Sequence, residues 1–255
     1  MNKKINALVM VGGKGTRMKK NIEKPLLKVN NISLIERIAF AIEESKLLEE
    51  GIFAVSPYTP KTRKFAIEKG YKILDTPGKE YHIDLKYAVI KCKLIKTLVV
   101  SGDLPFLTGE LIDSIINIYR ERSKPALSVV IPAKSLKKFE LKPTWIIKYN
   151  NQEVIPAGIN VIDGSLINEE YMEQTIYIIE NIRLFININT CADFKFASKY
   201  HLFFEKLSKC PKCLKSLPFD KFKDLIKGKD LFCSFCNFAL FPPFKELSKK
   251  IRGVN

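Results

Sequence analysis

From Ile5 to Arg122, short apolar runs alternate with segments of helical periodicity, and no other feature limits the fold of this chain as much. Residues 5–11 form an apolar run that ends at glycines and is short enough for a buried strand. From Ile32 onward Leu34, Ile35, Ile38, Ala39 and Ile42 recur at helical spacing, with Ser33 and Glu36 in capping-box register. This helix is expected to end near Gly51, and residues 52–56 read as the next strand. Thr59 then caps a helix with Pro60 at its first position, and Gly70 closes it. The order continues with a strand at 71–75, a helix at 81–90, a strand at 97–101 and a helix at 108–122 capped by Thr108. Such alternation implies an α/β fold with a mostly parallel sheet covered on both faces. Ligands of such sheets bind beyond the carboxyl ends of the strands, which here are the loops 12–18, 56–62 and 101–106.

After Pro125 the order changes. Strands are expected at 126–131, 158–162 and 183–188, and Thr190 caps a helix reaching about residue 207. The composition then switches, which places a domain boundary between 1–207 and 208–255. With 255 residues and 46% hydrophobic composition the chain can bury a sizeable core. No apolar run approaches the roughly eighteen residues of a membrane span. The opening Met-Asn-Lys-Lys and the short apolar stretch after it lack the length and cleavage site of a secretory signal. A cytoplasmic protein is expected, with its six cysteines reduced or metal-bound.

The loop Gly12-Gly13-Lys14-Gly15-Thr16-Arg17-Met18 follows directly on the first strand. Glycines there let backbone N–H groups surround phosphate oxygens without obstruction by side chains. The loop lacks the Gly-Lys-Ser/Thr ending of a P-loop and the glycine spacing of a dinucleotide fingerprint. With Glu23-Lys24-Pro25-Leu26 downstream, it resembles the nucleotidyltransferases, which join a nucleoside triphosphate to a phosphorylated acceptor and release pyrophosphate. That resemblance implies a Rossmann-like α/β sandwich in which Gly12, Gly13 and Gly15 hold the triphosphate. It gives Arg17 the leaving pyrophosphate and Lys24 a phosphate contact, with Lys14 and Thr16 also beside the nucleotide. Ser101-Gly102-Asp103-Leu104-Pro105 fits the place of the superfamily's magnesium-binding aspartate, so Asp103 is the expected Mg2+ ligand.

Four further segments tighten the match: Ser56-Pro57-Tyr58-Thr59-Pro60-Lys61-Thr62, Asp75-Thr76-Pro77-Gly78-Lys79 with Tyr81 and Asp84, Ile155-Pro156-Ala157-Gly158-Ile159-Asn160-Val161, and Ile186-Asn187-Ile188-Asn189-Thr190. They resemble the archaeal adenosylcobinamide-phosphate guanylyltransferases, related to the molybdenum cofactor guanylyltransferases, over residues 5–205. The resemblance implies transfer of GMP from GTP to adenosylcobinamide phosphate in cobalamin biosynthesis. It adds Thr76 and Gly78 to the nucleotide contacts and makes Asn160, Asn187 and Asn189 candidates for the acceptor, ribose or metal. Sugar nucleotidyltransferases bring a second aspartate where this chain has Asn187 and Asn189. One carboxylate with triphosphate oxygens still suffices for Mg2+. The acceptor phosphate, with a second pKa of about 6, is largely dianionic at neutral pH and needs no general base. His82 and His201 are accordingly read as surface or packing residues. Molybdopterin, a sugar phosphate or a phosphoacid remain alternative acceptors.

Cys210-x-x-Cys213 and Cys233-x-x-Cys236, nineteen residues apart, have the spacing of a four-cysteine zinc ribbon, with iron as the chemical alternative. Cys92 and Cys191 lie outside this motif and are expected as buried thiols. Residues 206–255 carry twelve Lys/Arg against four Asp/Glu, half of the net charge of +16, and nine of the seventeen phenylalanines fall between His201 and Phe244. A basic, aromatic tail suits docking on the main domain or on a partner, and it also suits nucleic acid. The second reading would make the chain a nucleic-acid-binding protein with a GTP-sensing domain.

Overall fold

The computed structural model describes residues 4–18, 22–137 and 145–206. The zinc-ribbon cysteines and most of the basic tail therefore lie outside the described residues. Strand β1 (Ile5–Met10) buries Ile5, Ala7, Leu8 and Val9, the near-continuous pattern of a strand covered on both faces. A two-residue turn, Asn30-Asn31 with φ of 51° and 63°, joins β2 (Lys28–Val29) to β3 (Ile32–Ser33). Helix α1 (Leu34–Glu44) starts with the expected capping box, in which the Ser33 hydroxyl accepts from the Glu36 N–H and the Glu36 carboxylate accepts from the Ser33 N–H. It ends before Ser45, and residues 48–51, expected as helix, open β4 (Leu48–Val55) instead. Helix α2 (Pro60–Glu68), β5 (Lys72–Asp75), α3 (Tyr81–Lys91), β6 (Lys96–Ser101) and α4 (Gly109–Arg120) follow in the expected order. The Thr108 hydroxyl caps α4 by accepting from the Leu111 N–H.

The second half comprises β7 (Ala126–Pro132), α5 (Ala133–Lys137), β8 (Ile147–Tyr149), β9 (Gln152–Asp163), β10 (Gln174–Ile178) and α6 (Cys191–Lys206). The strands form one sheet in the order β10-β7-β9-β6-β1-β4-β5, with β8 paired to β9. β10–β7, β6–β1, β1–β4 and β4–β5 are parallel, and β9 runs antiparallel to both its neighbours. The expected mostly parallel α/β sheet is therefore present, crossed by one long strand of opposite direction. Its core includes Leu8, Ile52, Ala54, Val99 and Ile162 from the strands and Ala88 and Val89 from α3. Elsewhere α1 and α4 bury Leu34, Ile35, Ile38, Leu111, Ile112, Ile115 and Ile116.

The run at 183–188 is not a strand. Leu184, Phe185, Ile186 and Ile188 are buried, but Leu184 ends a short 3-10 turn and the others follow it as an unpaired loop, and the parallel edge is taken by β10. The chain divides into two units after Phe194: the sheet lies in Met1–Phe194, and the described part of Lys195–Asn255 is the remainder of α6.

Candidate active site

β1 and β6 lie side by side with Met10 opposite Ser101, so the loops that follow them leave the sheet together. From β1 the chain moves outward through β4 and β5, then returns to the other side of β1 as β6. At such a reversal neighbouring loops diverge and leave a crevice. The glycine loop enters it from one side and Asp103 from the other.

Among the described residues, no acceptor engages the backbone N–H groups of Gly12, Gly13, Lys14, Gly15 and Thr16. A run of free donors at the end of a strand is an anion cradle. Its two ends are pinned. The Ser56 hydroxyl donates to the Gly12 carbonyl at 2.5 Å, and buried Met18 donates its N–H to the Gly15 carbonyl at 3.0 Å. A Cβ on Gly12 would come within 2.9 Å of Ser56 Cβ, whereas one on Gly13 would meet nothing within 4 Å. The Lys14 ammonium sits 4.6 Å from the centre of the Tyr58 ring.

Lys24 begins a 3-10 turn whose next residue, Pro25, is buried. Its Nζ donates to Asp103 Oδ2 at 2.5 Å and to Asn189 Oδ1 at 3.0 Å. The neighbouring Glu23 carboxylate accepts from the N–H groups of Lys61 and Thr62 at 2.8 and 2.6 Å, and so caps α2 from a distant loop. The expected cap, Thr59, makes no such bond, because its hydroxyl is bonded to the backbone of Ser56.

Asp103 is buried, at 5% exposure. Its backbone carbonyl accepts from the Ile188 N–H at 3.0 Å. The Asn187 amide, with its nitrogen turned toward the carboxylate, donates to both Asp103 oxygens at 2.5 and 2.8 Å. Asn189 is held at the start of α6, where the Asp193 carboxylate accepts from the N–H groups of Asn189 and Thr190 at 3.0 and 2.7 Å. The Thr190 hydroxyl accepts from the Asp193 N–H at 3.2 Å, the cap read from the sequence. Removing one member of such a nearly dry ion pair strands the other.

On the far side of the crevice the Thr76 hydroxyl donates to the Val55 carbonyl at 2.8 Å. Buried Asp84 accepts from the Gly78 N–H at 3.0 Å, which fixes the turn after β5. At the end of β5, Arg63 donates to both Asp75 oxygens at 2.7 and 3.0 Å, and these bonds hold the Asp75 carboxyl below its usual range.

Two cavities meet at this centre. One, of about 480 Å³, is lined by Gly12, Gly13, Lys14, Gly15, Thr16, Arg17, Lys24, Thr76, Gly78 and Asp103, the whole set expected for the nucleotide and its metal, together with Asn189. The other, of about 500 Å³, is lined by Ile131, Leu136, Trp145, Ile155, Pro156, Leu184, Phe185 and Ile186, with Asn187 and Asp193. Arg17, Ser101, Asp103 and Asn189 border both. Gly158, with φ of 74°, lies under the second cavity, where a Cβ would come within 3.0 Å of Ser101 Cβ.

Not every candidate is brought here. Asn160 accepts from the Ser128 hydroxyl at 2.8 Å within the sheet and lines neither cavity. Cys92 and Cys191 are half-buried rather than buried; Cys191 Sγ donates to the Met18 carbonyl. His82 is exposed. Arg37, overlooked in the sequence, is buried and donates to the carbonyls of Val29 and Pro105, tying α1 to the loop that carries Asp103. Its signal was an arginine on the apolar stripe of α1.

The model of the MobA-like NTP transferase domain matches residues 7–152. The chain belongs to this nucleotidyltransferase family. It is 36% identical over 204 residues to the adenosylcobinamide-phosphate guanylyltransferase of Methanocaldococcus jannaschii, a match that covers 76% of this chain and 95% of that protein. It is also 24% identical over 202 residues to the bifunctional protein GlmU of Streptococcus sanguinis, covering 72% of this chain but 40% of that relative. Among solved structures, a CMP:2-keto-3-deoxy-manno-octonic acid synthetase complexed with CTP superimposes with a TM-score of 0.59 at 12% identity, over 78% of this chain and 98% of the other. The 4-diphosphocytidyl-2C-methyl-D-erythritol synthase of Anaerococcus prevotii gives 0.56 at 16% identity, over 78% and 96%. These two establish the α/β nucleotidyltransferase fold. Among the described residues of this nucleotidyltransferase, no helix is long and apolar enough to cross a membrane.

Proposed function

We propose that this nucleotidyltransferase transfers GMP from GTP to adenosylcobinamide phosphate, releasing pyrophosphate and forming adenosylcobinamide-GDP. The observation that carries the reading is the meeting of two cavities at Asp103, one bordered by free backbone donors and cations, the other by apolar side chains together with polar ones. The relationship to the M. jannaschii guanylyltransferase supports the choice of GTP and of the acceptor.

In this reading the triphosphate lies against the N–H groups of residues 12–16, and Arg17 offsets the charge that builds on pyrophosphate as it leaves. Lys24 turns from Asp103 toward the α-phosphate, and Asn189 keeps its ammonium in place. The acceptor's phosphate oxygen needs no base, so positioning and charge neutralisation carry the chemistry. Asp103 offers a carboxylate and Asn189 an amide oxygen, while the Asn187 amide donates to Asp103. So small a set of oxygen donors fits a hard cation that takes its other ligands from water and phosphate. When bound, Mg2+ supplies neutralisation of phosphate charge. A cytoplasmic location and a separate 208–255 domain, with zinc on Cys210, Cys213, Cys233 and Cys236, belong to the same reading. Metal analysis of the purified protein tests the zinc.

The deciding experiment measures pyrophosphate release from GTP with Mg2+ and adenosylcobinamide phosphate, against the same mixture without acceptor and against ATP, CTP and UTP. Acceptor-dependent, GTP-selective release is expected. No release with any nucleotide, while GTP still binds, overturns the acceptor and leaves a GTP-binding protein.

A further inference from the structure

We infer that Trp145 is the platform on which the acceptor's ring system lies, and that it sets acceptor selectivity; this rests on the transfer reaction proposed above. The inner walls of the second cavity are fixed: Ile131, Leu136, Leu184 and Phe185 are all buried. Trp145 lines the same cavity but stands 69% exposed, and Ile146 beside it is 40% exposed. A large aromatic that lines a cavity yet stands in water beside a second exposed apolar side chain marks a surface that a ligand can cover.

The cavity has two kinds of lining: Arg17, Ser101, Asp103, Asn187, Asn189 and Asp193 give it polar or charged groups, and the aliphatic side chains and Trp145 give it an apolar surface. It therefore suits a molecule that carries a phosphate on a larger body with apolar faces. A volume of about 500 Å³ encloses one drug-sized ligand. A corrin macrocycle with its side chains is larger, so with its phosphate at Asp103 part of its face extends over the rim. The indole offers that face a flat apolar surface, and its N–H offers the peripheral amides a donor.

The test compares wild type, Trp145→Ala and Trp145→Phe with two acceptors, adenosylcobinamide phosphate and 1-amino-2-propanol phosphate, which lacks the macrocycle. Exposure of Trp145 means that truncation opens no core cavity, and thermal melts confirm that the variants are folded. Trp145→Ala raises KM for adenosylcobinamide phosphate about tenfold, the scale of a lost aromatic contact, while KM for GTP stays within twofold. Trp145→Phe recovers most of the loss, and the small acceptor does not distinguish the three proteins. An unchanged KM for adenosylcobinamide phosphate in folded Trp145→Ala overturns the platform while wild-type transfer upholds the reaction. Equal losses with both acceptors also overturn it, because the effect then does not come from the macrocycle. If wild type transfers nothing to adenosylcobinamide phosphate, the reaction itself fails, a result read before any variant is made.

Discussion

The two cavities share four bordering residues yet are made of different material. The nucleotide side is built largely from main chain: free N–H groups of residues 12–16 and turns fixed by Ser56 and Asp84, with Lys24 and Arg17 added. The other side is built from side chains contributed by β7, α5, β9 and the unpaired loop before α6. A triphosphate is the same in every nucleotide and can be held by backbone, which any sequence supplies once glycines clear the way. A particular acceptor has to be recognised by the shape and polarity of side chains. The first kind of site is written in short motifs, and the second is spread over the chain.

The sharpest way to break this comparison is at the shared residues. Lys24→Ala and Asp103→Asn each lower turnover by about 10²–10³-fold in the pyrophosphate assay, the scale of removing one charge-stabilising group. Lys24→Ala also lowers Tm, because it leaves Asp103 buried without its counter-charge. Wild-type turnover in either folded variant would reduce the centre to two unconnected pockets.

Next comes a pair of glycines. Gly12→Ala drives a methyl group into Ser56 and costs about 1–3 kcal/mol, seen as a fall in Tm. Gly13→Ala meets no protein atom, so Tm holds, but it crowds the anion cradle and raises KM for GTP about tenfold, as the loss of a charge-assisted hydrogen bond would. If both variants fell in stability alike, the loop would be a packed structural turn rather than a cradle. Glu23→Ala removes the cap of α2 at about 1 kcal/mol and lowers Tm by about 2–4 °C, with a smaller effect on turnover.

The smallest expected effect concerns Asp75. Because its native pKa is depressed by Arg63, its contribution is present above the unfolded value of about 3.9 and is lost as pH falls through the native value. Asp75→Asn therefore lowers Tm slightly at pH 7 and not at all once the wild-type carboxyl is protonated. A pH-independent difference would point to packing instead.

The glycine loop and Asp103 could be placed before any coordinates because each follows directly on a strand, and the capping box of α1 and the caps of α4 and α6 because each is written within four residues. Lys24 was visible only through its neighbour Pro25. The acceptor side was not legible in this way. The apolar residues 184–188 looked like a strand because a buried loop and a buried strand share the same hydrophobicity. β10 carries Gln174, Thr175 and Tyr177 on a half-exposed edge and gave no strong signal. The α2 cap was misplaced because Glu23, its true partner, is remote in sequence from the helix it serves. Leu136, Trp145 and Leu184 converge only through the antiparallel course of β9 and the loop before α6, which no local pattern records.

The bond from the Ile188 N–H to the Asp103 carbonyl ties the aspartate to chain far beyond it in sequence. The segment that matches the family, residues 7–152, ends well before Asn187 and Asn189. Asn187, which donates to the Asp103 carboxylate, and Asn189, which accepts from Lys24, lie beyond that segment, as does β9 after Gln152, the strand that pairs with both β6 and β7. A chain cut after residue 152 would keep the glycine loop, Lys24 and Asp103 in its sequence while losing both the amides and the strand beside the one that leads to the aspartate.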